Sequence, residues 1–481
     1  MIADSETPIS VFEKLRGEGA CFLFESAEHN ESLGRFSFLG FDPLLIFESR
    51  GRTITIEEGG ARQNFETTTD PLAELEKVMA RFRFAPAEEL GHFAGGAIGY
   101  LGYDVVRHFE PTVPLAPNEG LDLPEAMFVI AKTVIVFDHR LRRLRVIANV
   151  FLAGSKEDLS AAYEEAVKRI ERTLARLARP AQLPLLECAA PGAPLDARSN
   201  TTRLEFETMV RAAQEHIAAG DIFQAVLSQR FETDFTGDPL DLYRALRFIN
   251  PSPYMFCLDF GRDFSLVGSS PELHVRATNS ALEIRPIAGT RPRGATATED
   301  ETNATELLAD PKERAEHVML IDLARNDLGR VAEFGSVRVT QQMVIERYSH
   351  VMHIGSHVIG RLRVGQNAFD AMRATFPAGT VSGAPKVRAM QLIAELEKTR
   401  RGFYAGAVGY FGFDGNLDFC IALRSIVLQN GKAYAQAGAG IVADSQPAAE
   451  YEETVNKARA MMQAVARARE IARWGSDGFF R

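Results

Sequence analysis

The stretch LDFCIALRSIVLQNGKAYAQAGAG, residues 417–440, limits the folds open to this chain more than any other segment. Two apolar runs flank Asn430-Gly431, a pair of residues whose backbone preferences match the tight turn of an antiparallel hairpin. Around this segment strands and helices alternate irregularly, without a repeat of fixed period. The pattern therefore favours an α+β fold with several antiparallel pairings over a doubly wound parallel sheet.

A proline-rich stretch divides the chain. RPAQLPLLECAAPGAPLDARSN, residues 179–200, holds four prolines and has little periodicity. A chain of 481 residues is long enough for two to four domains, or for one unusually large one. We predict an N-terminal segment over 1–180, a linker over 181–200 and a second segment over 201–475.

The charge balance excludes several classes of function. Lys and Arg number 54 and Asp and Glu number 64, and this net charge of −10 argues against nucleic-acid binding. An anionic substrate would need local arginines and backbone N–H groups. The sequence contains no run of eighteen apolar residues, so we predict no membrane span, and the N-terminus does not resemble a signal peptide. The four cysteines form no CxxC pair, which favours a cytoplasmic location.

Three short segments invite an anion-binding interpretation. PIAGTRPRG, Pro286 to Gly294, has the composition of a rigid loop that holds an anion. GTVSGAPK, 379–386, departs from the P-loop pattern at its sixth position and after its lysine, which argues against ATP binding. GAGIVA, 438–443, is followed by no helix, so a tight turn and a backbone anion site both stay open.

Two acidic helices carry the other candidate groups. Asp310 is predicted to cap a helix that begins at Pro311, with Glu313 completing a capping box. Glu316 has no such structural task. Glu453 shares a helix face with Lys457 near the C-terminus. These carboxylates are either ordinary surface groups or, jointly, ligands for a hard cation such as Mg²⁺, and periodicity does not separate the two.

Taken together, the stretches GDIFQAVLSQRF, SSPELHVR, IRPIAGTRPRG, PKERAEHVMLIDLARNDLGRV, QAGAGIVADS and EYEETVNKARA resemble the chorismate-utilising enzymes. They occur in the family's order over about 202–470, and CFLFESAEHNESLGRFSFLGFDP extends the resemblance toward the N-terminus. The resemblance implies the family's fold, an α+β structure in which large mixed or antiparallel sheets pack as a sandwich with helices outside.

Within this family the chain is most similar to the large subunits of anthranilate synthases, which make anthranilate and pyruvate from chorismate and ammonia. The resemblance implies catalytic roles for Glu272 as general acid, for His353 in the elimination, and for Thr380. It implies Mg²⁺ held by Glu316 and Glu453. The substrate-binding residues that it implies are Gly289, Thr290, Tyr404, Arg424, Gly438, Ala439, Gly440 and Lys457.

Ala288 separates this chain from other members of the family. Relatives that make aminodeoxychorismate, isochorismate or salicylate carry a lysine here, as a nucleophile or as the base that activates water. A methyl group does neither, so the nucleophile must arrive from outside as ammonia. The resemblance implies that a separate glutamine amidotransferase subunit supplies it. The alternatives are component I of aminodeoxychorismate synthase and a non-catalytic regulator that binds chorismate or tryptophan.

A second site is implied by the same resemblance. Relatives inhibited by tryptophan use a Leu-Leu-Glu-Ser segment and an Asn-Pro-x-Pro-Tyr-Met segment. The second is intact here as NPSPYM, 250–255, whereas the first has Phe24 in place of a leucine. The resemblance thus predicts feedback inhibition by tryptophan, with a site that comprises Glu25, Ser26, Pro253, Tyr254 and Met255.

Overall fold

A computed structural model describes residues 2, 4–17, 19–26, 34–85, 93–152, 159–184, 196–348 and 351–476. The helices are α1 (Pro8–Leu15), α2 (Pro71–Met79), α3 (Val106–Phe109), α4 (Leu159–Leu177), α5 (Arg203–Ala218), α6 (Pro239–Ile249), α7 (Ala297–Ala309), α8 (Pro311–Gly329), α9 (Ala368–Thr375), α10 (Lys386–Leu396) and α11 (Pro447–Ser476).

The strands are β1 (Cys21–Glu25), β2 (Phe36–Arg50), β3 (Thr53–Glu58), β4 (Ala61–Glu66), β5 (Gly96–Leu101), β6 (Ala126–Asp138), β7 (Arg143–Ala148), β8 (Arg198–Ser199), β9 (Gln224–Asp234), β10 (Tyr254–Asp259), β11 (Phe264–Ser270), β12 (Leu273–Thr278), β13 (Ala281–Ile284), β14 (Ile287–Pro292), β15 (Arg338–Arg347), β16 (Val351–Arg361), β17 (Gly383–Ala384), β18 (Ala407–Gly412), β19 (Leu417–Ile421), β20 (Ser425–Gln429) and β21 (Lys432–Ile441).

These strands pair antiparallel in two large sheets that share the long strands β2 and β6. The first sheet runs in the order β4, β3, β2, β6, β5, β18, β19, β12, β13, β16 and β15, with β14 beside β16. The second runs β7, β6, β2, β1, β10, β11, β20, β21 and β9, with β8 and β17 beside β9. Strands from 1–180 and from 201–475 therefore pair in both sheets.

The two sheets pack face to face through one apolar cluster. Phe22, Phe256 and Val427 of the second sheet join Ile98 and Val408 of the first, and all five side chains are buried. Because strand side chains alternate between the two faces, the opposite face of each sheet needs a separate cover.

Helices supply that cover on both sides. On the first sheet, α8 and α9 contribute Ile321 and Met372 to a cluster with Phe411. On the second sheet, α6 and α11 place Leu246 and Val465 in a cluster with the β21 alanines. The prediction of an α+β sandwich with outer helices is therefore confirmed. None of the described helices is both long enough and apolar enough to span a membrane.

Two local predictions can be compared with the structure directly. The hairpin of β20 and β21 turns at Asn430 and Gly431, whose φ angles of 52° and 72° suit this two-residue turn. Asp310 does cap α8, accepting the N–H groups of Lys312 and Glu313. The capping box was wrong, because the Glu313 side chain pairs with Arg291 instead of bonding back to the cap.

The predicted linker is partly structured. Its last residues form β8, and Arg198 and Ser199 pair there with Glu232 and Phe231 of β9. Residues 185–195 lie outside the described part of the chain. The division at 181–200 stays a prediction, although the pairing of strands from both ranges joins the two segments within the same sheets.

Candidate active site

The carboxyl of Glu272 lies in the short connection from β11 of the second sheet to β12 of the first. The residue is 6% exposed. Burial raises the pKa of its carboxyl to about 8, and Glu346 adds a small rise. The Thr380 hydroxyl, the Ile287 N–H and Arg424 lower the pKa, but by less. Glu272 therefore keeps its proton at neutral pH and can donate it to a leaving group.

His353 lies in β16, directly opposite Thr290 of β14. Its Nδ1 is 2.8 Å from the Gly289 carbonyl oxygen and 3.0 Å from Thr290 Oγ1. Because a carbonyl oxygen only accepts, Nδ1 carries the proton and Nε2 is the basic nitrogen. Burial lowers the pKa of His353 to about 4, so the ring is neutral at pH 7. The ring can therefore accept a proton at Nε2.

The segment Pro286 to Gly294 is not the rigid loop that its composition predicts. Most of it is β14, and the register with β16 shifts between Ala288 and Thr290. Gly289 lies at this irregularity with φ +67°, and a Cβ there would be 3.0 Å from Glu313 Oε2. A glycine is needed for both reasons. The shift brings the Gly289 carbonyl and the Thr290 hydroxyl to the same ring nitrogen of His353.

The two arginines of this segment are held by acidic side chains. Arg291 pairs with Asp310 and Glu313 at the start of α8. Arg293 pairs with Asp300 and donates to the Tyr348 carbonyl. Their charges fasten β14 to the helices beside it, so the anion-binding role that composition suggests does not fit either of them.

Gly438, Ala439 and Gly440 lie in β21, so the tight-turn interpretation of GAGIVA was wrong for this part. They pair with β9 on one side, whereas the pairing with β20 ends at Ala435. A Cβ on Gly438 would be 2.7 Å from the Tyr404 hydroxyl. Lys457 donates to the Gly438 carbonyl at 3.0 Å. The edge that β20 leaves uncovered is consistent with a backbone anion site beside Tyr404.

Arg424 is a cation without an acidic partner among the described ion pairs. Its side chain makes one long hydrogen bond, to Asn250 Oδ1 at 3.4 Å. Burial lowers its pKa, against the opposing effects of Tyr348 and Glu272. Its φ of +47° is unusual for a residue with a long side chain and costs roughly 1–3 kcal/mol. A half-buried guanidinium with spare donors is suited to binding a carboxylate.

The acidic side of the site contains Glu316 of α8 and Glu453 of α11. Burial raises the pKa of Glu316, and the negative charges of Glu313 and Glu453 add to the rise. Glu453 pairs with Lys457 at 2.7 Å. Gln224 donates to Glu316 at 3.0 Å. A Cβ on Gly440 would be 2.4 Å from the Gln224 amide nitrogen, so this glycine makes room for the amide.

These groups fit a hard cation, on the evidence of one unpaired atom. Gln224 Oε1 is buried and has no hydrogen-bond partner in the part of the chain that the structure describes. Mg²⁺ prefers oxygen ligands and is held by one or two carboxylates together with water and an anionic ligand. Within the described ranges, no three His, Cys, Asp or Glu side chains could hold a metal ion without such help. That Glu316 and Glu453 hold such a cation stays a prediction.

Shared electrostatic effects indicate that several of the predicted residues lie near one another. Arg424 acts on the pKa of both Glu272 and His353. Lys457 acts on the pKa of both His353 and Glu316. The structure therefore brings together the acid, the histidine, the arginine and the acidic cluster, although they come from distant parts of the sequence.

Comparison with known proteins identifies the family. Residues 19–463 match the family model described as chorismate binding enzyme. The chain belongs to the chorismate-binding enzyme family. It is 46% identical over 471 residues to anthranilate synthase component 1 of Acetivibrio thermocellus, covering 98% of this chain and 94% of that protein. It is 48% identical to the protein of the same name from Aquifex aeolicus, with the same two coverages.

Solved structures agree with this assignment. The crystal structure of anthranilate synthase component I from Streptococcus pneumoniae superposes with a TM-score of 0.77 at 38% identity, covering 96% of this chain and 99% of that one. The menaquinone-specific isochorismate synthase of Escherichia coli shares the fold, with a TM-score of 0.72 at 19% identity and coverage of 96% and 92%.

A buried ion pair that the sequence did not predict lies next to Tyr404, one of the predicted substrate-binding residues. Arg401 donates to Glu397, to the Val381 carbonyl at 2.8 Å and to the Val226 carbonyl at 2.6 Å. Burial alone would lower the pKa of Arg401, but Glu397 raises it above the ordinary value. The guanidinium also lies 5.5 Å from the centre of the Tyr404 ring. The available signal was the spacing of Glu397 and Arg401, four residues apart.

The segments of the predicted tryptophan site are adjacent, since β1 and β10 pair with Glu25 opposite Met255. Glu25 accepts the Tyr243 hydroxyl at 2.7 Å and pairs with Arg247. Its charge therefore already has a partner. Ser26 Oγ, in contrast, is buried and has no hydrogen-bond partner among the described residues, which do not include 27–33. Pro253 is buried, and the Tyr254 hydroxyl accepts from Arg276 at 2.9 Å.

Proposed function

We propose that this chain is the large subunit of an anthranilate synthase, which converts chorismate and ammonia to anthranilate and pyruvate. The observation that carries the proposal is that three groups occur in one region: a protonated acid, a neutral histidine and an arginine without an acidic partner among the described ion pairs. Glu272, His353 and Arg424 are these three groups. Chorismate has two carboxylates, a leaving hydroxyl and a ring proton to lose, and the site has a group for each.

Binding of the substrate begins with its charges. Arg424 would form charge-assisted hydrogen bonds with the enolpyruvyl carboxylate, each contributing roughly 1.5–3 kcal/mol. The Tyr404 hydroxyl and the backbone of Gly438, Ala439 and Gly440 would complete this subsite. Gly289 and Thr290 would line the ring, and Lys457 would add positive charge between the two ends of the site. Such local groups are needed because the chain as a whole is acidic.

Glu316 and Glu453 would hold Mg²⁺ on the side of the ring carboxylate. When bound, the ion supplies Lewis-acid stabilisation of the charge that develops through that carboxylate. Gln224 positions the Glu316 carboxylate by donating from its amide nitrogen, and its amide oxygen has no partner among the described residues. Removal of the ion with a chelator should abolish turnover.

The chemistry then uses one proton at each of two side chains. Ammonia forms a bond to ring carbon 2, the ring double bonds shift, and the hydroxyl at carbon 4 leaves with the Glu272 proton as water. The new ammonium group then loses one proton, which restores the protonated Glu272. Nε2 of His353 accepts the proton of ring carbon 2 as the enolpyruvyl C–O bond breaks and the ring becomes aromatic. The side chain leaves as the enolate of pyruvate, which takes up a proton at its methylene carbon. Thr380 lies close enough to Glu272 for its hydroxyl to lower the pKa of that carboxyl. No step needs a covalent enzyme intermediate.

Ala288 favours this reaction over the alternatives. A lysine at this position could attack the ring or activate water, and a methyl group cannot. We therefore assign ammonia as the nucleophile and infer a separate glutamine amidotransferase subunit as its source. The same proposal includes feedback inhibition by tryptophan at β1 and β10, where Ser26 Oγ has no hydrogen-bond partner among the described residues. The three described cysteines are free and buried, in keeping with a cytoplasmic location.

A fluorescence assay tests the proposal. The purified chain, mixed with chorismate, Mg²⁺ and an ammonium salt, should produce fluorescent anthranilate. Glutamine should not replace ammonium unless the partner subunit is added. Release of 4-hydroxybenzoate or isochorismate as the main product would refute the assignment, and tryptophan binding without any turnover would favour the non-catalytic regulator.

A further inference from the structure

A small cavity lies against the Glu272 carboxyl, between the first sheet and helices α8 and α9. Its volume, counted for the centre of a water molecule, is about 20 Å³. One buried water needs about 10–15 Å³ by this measure, so the space suits a single water. The polar residues that line it are Glu272, His274, Asp327, Thr375 and Thr380.

His274 provides an acceptor that no described residue satisfies. The Thr375 hydroxyl donates to the Ala371 carbonyl at 3.0 Å, so its oxygen accepts from His274 Nε2, which is 3.1 Å away. With the proton on Nε2, Nδ1 has only its lone pair. His274 is 2% exposed, and Nδ1 has no hydrogen-bond partner among the described residues. Burial lowers the pKa of His274 to about 3, so the ring stays neutral.

Thr380 provides the second unsatisfied atom. Its Oγ1 is buried without a hydrogen bond of normal geometry, although it lies close enough to Glu272 to affect the pKa of that carboxyl. An unpaired buried polar atom costs roughly 1–3 kcal/mol. Two such atoms on one small polar cavity imply a ligand that can both donate and accept.

We propose that this cavity binds one water molecule, which donates to His274 Nδ1, bonds to Thr380 Oγ1 and lies against the Glu272 carboxyl. His274 is then a positioning residue that acts on the acid through water. The water donates its second proton to one oxygen of the Glu272 carboxyl. The proton of the carboxyl itself is thereby directed to the other oxygen. The role of the acid rests on the proposed function, whereas the presence of the water does not.

A crystal structure at high resolution tests the site directly. Crystals of the full chain, grown without ammonium salts, should show one water within hydrogen-bond distance of His274 Nδ1 and Thr380 Oγ1. An empty cavity would overturn the proposal. Density that appears only in ammonium salts would identify ammonia, and would also overturn it. Neither result depends on which reaction the enzyme catalyses.

The role of the water is tested by the pH dependence of kcat. His274→Phe removes the acceptor and should expel the water, which leaves the Glu272 carboxylate less solvated. The basic limb of the profile should move upward by about one pH unit. The charged groups that act on Glu272 are Arg424 and Glu346, and Asp327 with its partner Lys386 lines the cavity.

His317→Phe is the matched control. His317 is likewise fully buried and neutral, with Nε2 bonded to Ser356 and Nδ1 unpaired, but it does not line this cavity. Its substitution should leave the basic limb in place. Equal movement of the limb in both variants, or no movement in His274→Phe, would refute the positioning role. If His274→Phe does not fold, His274→Leu, which also removes the acceptor, takes its place in the same comparison with the same expected movement of the basic limb.

Discussion

Replacing Glu272 with glutamine should stabilise the protein at high pH while it impairs catalysis. Burial raises the pKa of this carboxyl from 4.5 to about 8. Between these values the folded chain holds a proton that the unfolded chain has lost, so the free energy of unfolding falls as the pH rises. At about 1.4 kcal/mol per pH unit, the fully ionised carboxylate costs the folded state about 5 kcal/mol.

Glutamine has no such ionisation. The free energy of unfolding of Glu272→Gln, relative to wild type, should therefore increase by up to about 5 kcal/mol between pH 4.5 and pH 8.5. Asp104 and Asp327, whose pKa values burial raises to about 6, titrate in the same range, but they do so in both proteins and cancel in the difference. In the same variant kcat should fall roughly 10²–10⁴-fold, because the general acid is lost.

Urea unfolding followed by circular dichroism, with reversibility checked by dilution, measures the difference at each pH. The control is Glu215→Gln, at an exposed position of α5, which should follow wild type throughout. A difference between Glu272→Gln and wild type that stays constant with pH would refute the argument, because the carboxyl would then titrate alike in both states.

Three further outcomes are expected. Arg401→Leu should lower the free energy of unfolding, measured with urea, by about 3–5 kcal/mol, because it leaves the Glu397 charge buried and unpaired. Adding Glu397→Leu should recover part of the loss. Equal stability of the single and double variants would contradict this. Ala288→Lys should reduce ammonium-dependent anthranilate formation by roughly tenfold or more, an increase of about 1.4 kcal/mol in the barrier, and an unchanged product and rate would disprove the role of this position. Ser26→Phe should raise the tryptophan concentration for half-inhibition at least roughly tenfold, about 1.4 kcal/mol of binding, measured against the tryptophan-free rate of the same variant; unchanged inhibition would place the ligand elsewhere.

The elements whose signals are local could be predicted from the sequence. The Asn430-Gly431 turn and the Asp310 cap depend on neighbouring residues, and both are found where the pattern places them. The capping box is absent because the Glu313 side chain pairs with Arg291, nineteen positions before the cap, and does not accept the backbone N–H of Asp310. The segment around Ala288 failed as a loop for a similar reason, since pairing with β16 overrides its turn-like composition.

The site itself depended on the resemblance to the family. Glu272, His353 and Arg424 are ordinary polar residues in the sequence, and only long-range strand pairing brings them together. The unpaired atoms of Gln224 and His274 could not be inferred from the sequence at all, because a missing partner is a property of packing. The buried pair of Arg401 and Glu397 lies beyond the end of α10 at Leu396, with Lys398 at a φ of 58° between them, so the spacing of four in the sequence did not identify it.

The assignment of anthranilate synthase activity is tested most directly by the origin of the amino group. Chorismate and Mg²⁺ should be supplied with ¹⁵N-labelled ammonium, and the products analysed by mass spectrometry. We predict anthranilate that is one mass unit heavier than the unlabelled compound, formed with an equal amount of pyruvate. Consumption of chorismate without incorporation of ¹⁵N, with isochorismate or 4-hydroxybenzoate as the product, would contradict the account.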